Sequence, residues 1–313
     1  MSFSGEVKEE LSVLPVKTLH CRRAELAALI SALGSFAVPA RGVIFLVIQG
    51  EKLSAMRRAD FLLRSLTGAV PEVTVTASKE WKSHLFTMVL REQEAVKKLL
   101  QDLYFLTPKG VLREPDLPAA EQLLKRDCCR RAFLRGAFLG AGVISNPREQ
   151  YHLEWNCGSE ARAEQLLRAL EADHIRAKTT SKKLSPSVYV KEAEGLSDCL
   201  SLMGAYRSRL ELENIRIYRG IQGNVNRRVN CETANIKKTA SASVSQADAI
   251  RRLAEAGKLQ QLPDGLKQMA EARLENPDAS YEELGGLLEP PVGKSCVNHR
   301  LRKLMELADG LQP

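Results

Sequence analysis

The pattern of apolar and polar positions repeats itself over the first two thirds of the chain. A helix rich in alanine and leucine is predicted over residues 22–36, and a similar helix starts at residue 128, with matching positions about 108 residues apart. Each is followed by a strand-like run, a helix, two alternating strands and a final helix. These elements begin at residues 42, 53, 73, 84 and 92 in the first copy, and at residues 151, 160, 175, 187 and 196 in the second. The duplication predicts two repeats, over about residues 20–106 and 127–207.

The duplicated pattern ends in a polar stretch near residues 220–230, GIQGNVNRRVN, whose glycines and asparagines show little apolar periodicity. Beyond it, helices are predicted over residues 247–256, 266–274, 281–288 and 295–307, separated by turns that contain proline or glycine. We therefore predict a two-repeat α+β domain over residues 1–218, a basic linker over residues 219–235 and an all-α domain over residues 236–313.

The last two predicted helices have the pattern of a helix-turn-helix. Ser280 precedes the first helix, acidic residues follow in its first turn, where the helix dipole favours them, and the sequence EPPVG ends it. In the second helix, Val297, Leu301, Leu304 and Met305 form one apolar stripe. A helix of this width fits the major groove of B-DNA, so this element is the predicted recognition helix.

The opposite face of the recognition helix is polar and basic. It supplies these candidates for DNA contact: Lys294, Ser295, Asn298, His299, Arg302 and Lys303. We expect Ser295 and Asn298 to contact base edges, assisted by His299, because an asparagine amide can pair bidentately with adenine. The three basic residues are expected to hold phosphates. The alternative is an amphipathic surface helix whose charges are only solvated.

Basic residues also cluster around the predicted linker. Between residues 216 and 238, six lysines and arginines stand against one acid, Glu232. The candidates for phosphate contact there are Arg227, Arg228, Lys237 and Lys238. Two interpretations stay open: a flexible linker that enters or lines a groove of the DNA, and a brace between domains whose asparagines cap turns.

Composition narrows the classes of protein that fit. The 313 residues carry 46 Lys and Arg against 38 Asp and Glu, and this net charge of +8 is too modest to indicate nucleic acid binding by itself. No apolar run approaches the roughly 18 residues of a membrane span. The amino end is acidic where a signal peptide is basic and then apolar. We expect a cytoplasmic, nucleoid-associated protein without membrane contact.

The seven cysteines are odd in number and scattered, with no CxxC motif and no Cys/His pair at zinc-ligand spacing. Reduced thiols, no cofactor and no metal site are therefore predicted. Only Cys128 and Cys129 are adjacent. Arginines at positions 126, 130 and 131 would stabilise their thiolates, so a redox role is the alternative to two small apolar side chains.

The two repeated helices resemble the signature helices of the LAGLIDADG homing endonucleases. The matching segments are LAALISALG at residues 26–34 and LRGAFLGAG at residues 134–142. The resemblance implies that these helices pack side by side through small residues, while the strands form saddle-shaped sheets that straddle DNA. Ala28, Ser31 and Ala32 on one helix, with Gly136 and Gly140 on the other, would permit that approach. Two ordinary core helices of similar composition are the alternative.

In that family an acid at the eighth position of each motif holds divalent metal at the scissile phosphates. The corresponding residues here are Leu33 and Ala141, whose hydrocarbon side chains offer no oxygen to Mg²⁺. We therefore expect no catalytic residues and no enzymatic activity. Basic residues of the strand regions would either neutralise phosphates or form a solvated face: Lys79, Lys82, Arg176, Lys178, Lys182 and Lys183.

The whole chain resembles the WhiA family of sporulation and cell-division transcription regulators of Gram-positive bacteria. The resemblance rests on the degenerate two-repeat scaffold, the segment NVNRRVNCETANIKKT, the opening SFSGEVKEEL and the terminal helix-turn-helix. It implies an α+β fold class, a two-repeat LAGLIDADG homing-endonuclease-like domain followed by an all-α helix-turn-helix domain. It also implies sequence-specific binding of double-stranded promoter DNA, with RNA polymerase or another transcription regulator as a further candidate partner.

Two other functions stay open. A metal-dependent nuclease could have recruited acids outside the motif, of which Glu25 and Glu154 are the nearest candidates. An RNA-binding, maturase-like protein could use the same scaffold.

Overall fold

The computed structural model describes residues 2–40, 42–77, 84–115, 117–180 and 185–311. The chain divides into two compact units, Met1–Arg219 and Gly220–Pro313. All strands among the described residues belong to the first unit. In the same residues, no helix is both long enough and apolar enough to cross a membrane.

The first unit is built from a short amino-terminal helix and two repeats with the same order of elements. Helix α1 spans Phe3–Ser12. The first repeat comprises α2 Leu19–Leu33, β1 Gly34–Ala40, β2 Val43–Gly50, α3 Leu53–Thr67, β3 Glu72–Ala77, β4 His84–Leu90 and α4 Gln93–Asp102. The second comprises α5 Asp127–Ala141, β5 Gly142–Ile144, β6 Leu153–Asn156, α6 Glu160–Glu171, β7 Lys178–Thr180, β8 Ser187–Val190 and α7 Ala193–Met203.

Each repeat forms a four-stranded antiparallel sheet, and the strand order is the same in both, β1-β2-β4-β3 and β5-β6-β8-β7. In β2, Ile44, Leu46 and Ile48 are buried while the residues between them are less so, as the two-residue period of a half-buried strand requires. The shared topology confirms the predicted duplication.

Strands β1 and β5 follow the motif helices without a loop, and the sequence pattern did not predict them. Helix α2 ends at Leu33, so the predicted extension of this helix to residue 36 is wrong. Gly34 leaves the helix with extended backbone, φ −92° and ψ 154°, and a methyl group there would come within 2.6 Å of the Ile30 carbonyl oxygen. Gly142 ends α5 in the same way, with φ −84° and ψ 150°. The absence of a side chain lets the chain pass directly from helix to strand.

The two motif helices, α2 and α5, pack against each other through their small residues, as predicted. A Cβ atom added at Gly140 would lie 2.5 Å from the Cβ atom of Ala32, and one added at Gly136 would overlap the carbonyl oxygen of Glu25 and approach Ala28. Because real Cβ atoms do not come this close, glycine is required at both positions. This contact sets the distance between the two repeats.

Helix α1 belongs to the core of the first unit. Phe3, Val7 and Leu11 are buried in the same apolar cluster as the motif helices. Lys8 donates to the carbonyl oxygen of Leu139, and its burial lowers the pKa of the ammonium group to about 8. The Glu10 carboxylate accepts hydrogen bonds from the main-chain amides of residues 207 and 208, at 2.8 and 2.9 Å. It therefore caps the amino end of the helix that begins at Tyr206, α8.

Helix α8 spans Tyr206–Glu255, so the predicted basic linker over residues 219–235 is helical, and the flexible of its two interpretations is wrong. Ile217, Ile221, Val225 and Val229 recur every four residues, a helical spacing that the glycines and asparagines around them conceal. Asn224 does not cap a turn, because it accepts a hydrogen bond from Arg227 within the helix. The four apolar side chains are each more than half exposed, so their spacing marks one face of α8 without burying it.

The second unit is helical, as predicted. Besides its part of α8 it contains α9 Asp264–Glu275, α10 Tyr281–Gly286 and α11 Lys294–Asp309. Its core is a separate apolar cluster that includes Ile250, Met269, Leu284, Leu301 and Leu304, one or more from each helix. Within this unit, α10 and α11 form the predicted helix-turn-helix.

We predict that Gly140→Ala destabilises the first unit, although glycine to alanine within a helix is ordinarily stabilising by about 0.5–1 kcal/mol. The new methyl group must displace α2, and overpacking of this kind costs about 1–3 kcal/mol. Chemical unfolding followed by circular dichroism measures the change. Gly220→Ala is the matched control, because nothing lies within 4 Å of a Cβ atom at that helical position. Equal effects of the two substitutions would contradict the close contact of α2 and α5.

Candidate nucleic-acid interface

Helix α11 is held in place by its apolar face. Val297, Leu301 and Leu304 are buried, as predicted, and Met305 is partly buried beside them. Ala308 extends the buried stripe by one turn. This packing fixes which face of the helix points away from the core of the second unit.

The predicted contact residues lie on the opposite, exposed face. All six are exposed: Lys294, Ser295, Asn298, His299, Arg302 and Lys303. Two of the basic residues share an acidic neighbour that the sequence argument left out. The Glu306 carboxylate lies 3.2 Å from Nε of Arg302 and 3.5 Å from Nζ of Lys303. These exposed pairs are weak in water, so both cations remain available to a phosphate.

Arg300 is set apart from this face. Its Nη1 atom donates to the carbonyl oxygen of Gly265 in α9, at 3.2 Å. The guanidinium therefore braces α11 against α9 and is only partly exposed.

The turn before α11 depends on two local features. Ser280 and Glu283 form a capping box, in which the Ser280 side chain accepts from the Glu283 amide and the Glu283 side chain accepts from the Ser280 amide. The hydrogen bond from the Ser280 backbone lowers the pKa of the Glu283 carboxyl group, and the bond with the Ser280 side chain adds to the effect. A Cβ atom at Gly285 would overlap the Val292 carbonyl oxygen. Because glycine has no side chain, the turn can pack closely against α10.

The basic residues of α8 are exposed too, but on a helix instead of a linker. Arg227, Arg228, Lys237 and Lys238 all lie in the stretch of α8 that is solvent-accessible around its circumference. Arg228 pairs with Glu232 at 3.1 Å. A continuous helix fixes the spacing of these four charges along the chain, whereas a flexible linker would leave it variable.

Of the strand-region bases, Arg176 and Lys178 are exposed at or beside β7. Lys79, Lys82, Lys182 and Lys183 lie outside the described residues.

The positions that carry acids in homing endonucleases stand at the ends of α2 and α5. Leu33 is partly buried against the core of the first unit. Ala141, Ala28, Ser31 and Ala32 line a cavity of about 30 Å³. The cavity has room for about one or two water molecules. Neither Leu33 nor Ala141 offers a ligand to a hard cation.

Glu25 cannot take over the role of the missing acids. Its side chain is fully buried, and Arg58 donates to both of its oxygens, at 2.6 and 3.0 Å. Arg135 donates to Oε2 at 2.9 Å. With two guanidinium groups on one carboxylate, no lone pair faces an open site. Glu154, the other candidate acid, accepts a hydrogen bond from His152 at 3.0 Å.

For Cys129 the structure favours the apolar side chain over the stabilised thiolate. Burial, together with the neighbouring thiols Cys21 and Cys128, raises the pKa of the Cys129 thiol to about 12. The Cys129 side chain is therefore neutral at pH 7 in this environment. Cys128 is exposed.

Comparison with known proteins agrees with this architecture over the whole chain. Family models of a WhiA N-terminal LAGLIDADG-like domain, a WhiA LAGLIDADG-like domain and a WhiA C-terminal HTH domain match residues 19–106, 130–222 and 225–308. A probable cell division protein WhiA from Desulforamulus reducens is 40% identical, with 100% of this chain and 97% of that protein covered. The corresponding protein from Heliobacterium modesticaldum is 40% identical over 99% and 96% of the two chains.

A crystal structure of full-length DUF199/WhiA from Thermatoga maritima matches all of both chains, with 26% identity and a TM-score of 0.58. The fold thus defines a protein with a degenerate LAGLIDADG-like domain followed by a helix-turn-helix unit, and this confirms the predicted fold class. The chain belongs to the WhiA family.

We predict that Glu25→Gln lowers the free energy of unfolding of the first unit by about 3–5 kcal/mol, because it leaves two buried guanidinium groups without their counter-charge. Denaturant unfolding measures the loss. Glu72→Gln removes a carboxylate from an exposed pair with Arg91, which is worth about 0–1 kcal/mol, and serves as the control. A loss no larger at Glu25 than at Glu72 would refute the structural role of this carboxylate.

Proposed function

We propose that the protein is a sequence-specific, DNA-binding transcription regulator that acts in cell division and sporulation and does not cleave DNA. The observation that carries the proposal is the exposed polar and basic face of α11, whose opposite face is fixed in the core of a helix-turn-helix unit. Membership of a family whose relatives bear the name of cell division proteins supports the cellular role. Action on the chromosome implies a cytoplasmic, nucleoid-associated location.

In this proposal α11 enters the major groove with its first turns against the bases. Ser295 and Asn298, one turn apart, read base edges, and His299 lies beside them. Lys294 and the pair Arg302 and Lys303 hold phosphates at the two ends of the contact. In the free protein these two side chains pair weakly with Glu306, and a phosphate takes its place on binding.

The exposed basic residues of α8 add contacts that do not depend on base sequence. Arg227, Arg228, Lys237 and Lys238 neutralise phosphates and release bound counterions, which makes affinity depend on salt. The LAGLIDADG-like unit adds phosphate contacts, a surface for RNA polymerase or another regulator, or both. With hydrocarbon at Leu33 and Ala141 and with Glu25 held by two arginines, this unit contributes no metal-assisted hydrolysis.

The first experiment locates binding sites of the full chain by footprinting on genomic fragments, and then measures affinity for the protected sequence and for a scrambled duplex. A structured RNA competitor at physiological salt tests the maturase-like alternative, and plasmid incubated with Mg²⁺ or Mn²⁺ tests cleavage. Protection without nicking, displaced by duplex DNA but not by RNA, is the expected result. Nicked plasmid, or equal affinity for both duplexes, would overturn the proposal.

We predict that Asn298→Ala reduces discrimination between the protected sequence and a variant at one base pair by about 1–3 kcal/mol, because a bidentate contact is lost. Fluorescence anisotropy with both duplexes measures the ratio of the two dissociation constants. Gln268→Ala removes an exposed carboxamide from α9 and should leave that ratio unchanged. Equal loss of affinity on every duplex for Asn298→Ala would contradict base reading.

We predict that Arg227→Ala and Arg228→Ala weaken binding to all duplexes alike and each reduce the slope of log K against log salt by about 0.9. A salt titration of binding measures the slope. Arg251→Ala, which also removes an exposed and paired arginine from α8, is the matched control. Unchanged slopes would show that this part of α8 does not contact phosphates.

A further inference from the structure

Four side chains with metal-binding atoms meet at the amino ends of the two motif helices. His20 and Cys21 lie in the first turn of α2, and Cys128 and Cys129 lie in the first turn of α5. The Nδ1 atom of the histidine and the three Sγ atoms all lie within 4.8 Å of one another. Nothing in the proposed reading of DNA by α11 uses this cluster.

The distances inside the cluster fit a tetrahedral zinc ion. Nδ1 of His20 lies 3.2 Å from Sγ of Cys129, 3.3 Å from Sγ of Cys21 and 3.9 Å from Sγ of Cys128. Zinc bonds of about 2.3 Å to sulfur and 2.0–2.1 Å to nitrogen place tetrahedral ligand atoms about 3.5–3.8 Å apart. The nitrogen-to-sulfur distances are within a few tenths of an ångström of these values, and the sulfur atoms, which lie within 4.8 Å of one another, would draw together by up to about 1 Å.

The two halves of the cluster come from equivalent positions of the two repeats. His20 and Cys128 are 108 residues apart, and so are Cys21 and Cys129. Each repeat thus contributes one adjacent pair, and the close packing of α2 on α5 brings the pairs together. This origin explains why no zinc-ligand spacing is visible along the sequence.

A bound zinc ion would deprotonate the buried thiols, which are neutral without it, and form a negatively charged complex. Three thiolates, a neutral imidazole and one Zn²⁺ carry a single net negative charge, and helix amino ends stabilise negative charge. Cys21 and Cys129 are buried among Val16, Ala24 and Ala132, which shield the sulfur atoms from oxidants in the solvent. Cys128 is exposed, so a metal ion can enter and leave from this side.

We propose that His20, Cys21, Cys128 and Cys129 form a structural zinc site that joins the two repeats at the amino ends of α2 and α5. Four protein ligands with three soft sulfurs select zinc and leave no position for a substrate. The ion would clamp the end of the helix pair that lies opposite the degenerate motif positions. It is separate from any hydrolytic metal site, which would lie at the carboxyl ends of the same helices.

The test is the zinc content of the full chain, purified without a histidine tag under reducing conditions and dialysed against metal-free buffer. Elemental analysis should find one zinc ion per chain. After exchange with Co²⁺, the spectrum should show thiolate-to-cobalt charge transfer and the intense visible bands of tetrahedral cobalt. A metal-free wild-type chain that gives no such spectrum on Co²⁺ addition would overturn the proposal, as would a disulfide among these cysteines in the reduced preparation.

Matched substitutions assign the ligands. Cys128→Ser and Cys231→Ser both change exposed cysteines, so neither disturbs the core. Cys128→Ser should weaken zinc binding by at least about tenfold, since even loss of an outer hydrogen-bond partner costs about 10–100-fold, while Cys231→Ser should keep wild-type affinity. His20→Cys, which makes the two repeat positions identical, should retain zinc and add a fourth thiolate to the cobalt spectrum. Equal zinc affinity in Cys128→Ser and Cys231→Ser would exclude this site.

Discussion

One buried carboxylate fixes the arrangement of the first unit. Glu25 on α2 is bonded to Arg58 on α3 and to Arg135 on α5, and these guanidinium groups also donate to carbonyl oxygens after α1 and at the end of α7. Charges removed from water are tolerated only when they are paired in good geometry. The network joins α2, α3 and α5 to the end of α1 and the end of α7, and it acts together with the small-residue contact of α2 and α5.

This network lies about two helical turns from the degenerate motif position Leu33, and it leaves Glu25 fully paired. The scaffold retains the paired helices and both sheets, while the ends of the helices carry hydrocarbon and the nearest acid on α2 is neutralised internally. The centre of the first unit is thus a closed, fully paired core. In the proposed function, recognition belongs to α11, where the second unit presents polar side chains from a helix anchored by its apolar stripe.

Features that depend on neighbouring residues could be predicted from the sequence, and features that depend on packing between distant segments could not. The duplication and the helix-turn-helix were visible because periodicity and turn residues act over a few positions. Strands β1 and β5 were missed because Gly34 and Gly142 turn helix into strand without a loop. In α8, glycine and asparagine concealed a regular apolar spacing. The pairing of Glu25 and the meeting of Cys21 with Cys129 depend on packing between repeats 108 residues apart, which one sequence does not reveal.

Helix α1 packs against segments that are synthesised much later than the helix itself. It is synthesised before the repeats, yet Lys8 donates to the carbonyl oxygen of Leu139 and Glu10 accepts from the amides of residues 207 and 208. Until about two thirds of the chain has been synthesised, Phe3, Val7 and Leu11 have no complete core to enter, so an apolar helix face stays exposed on the nascent chain. Helix α1 is therefore made before most of the first unit but is among the last of its elements to reach its final partners.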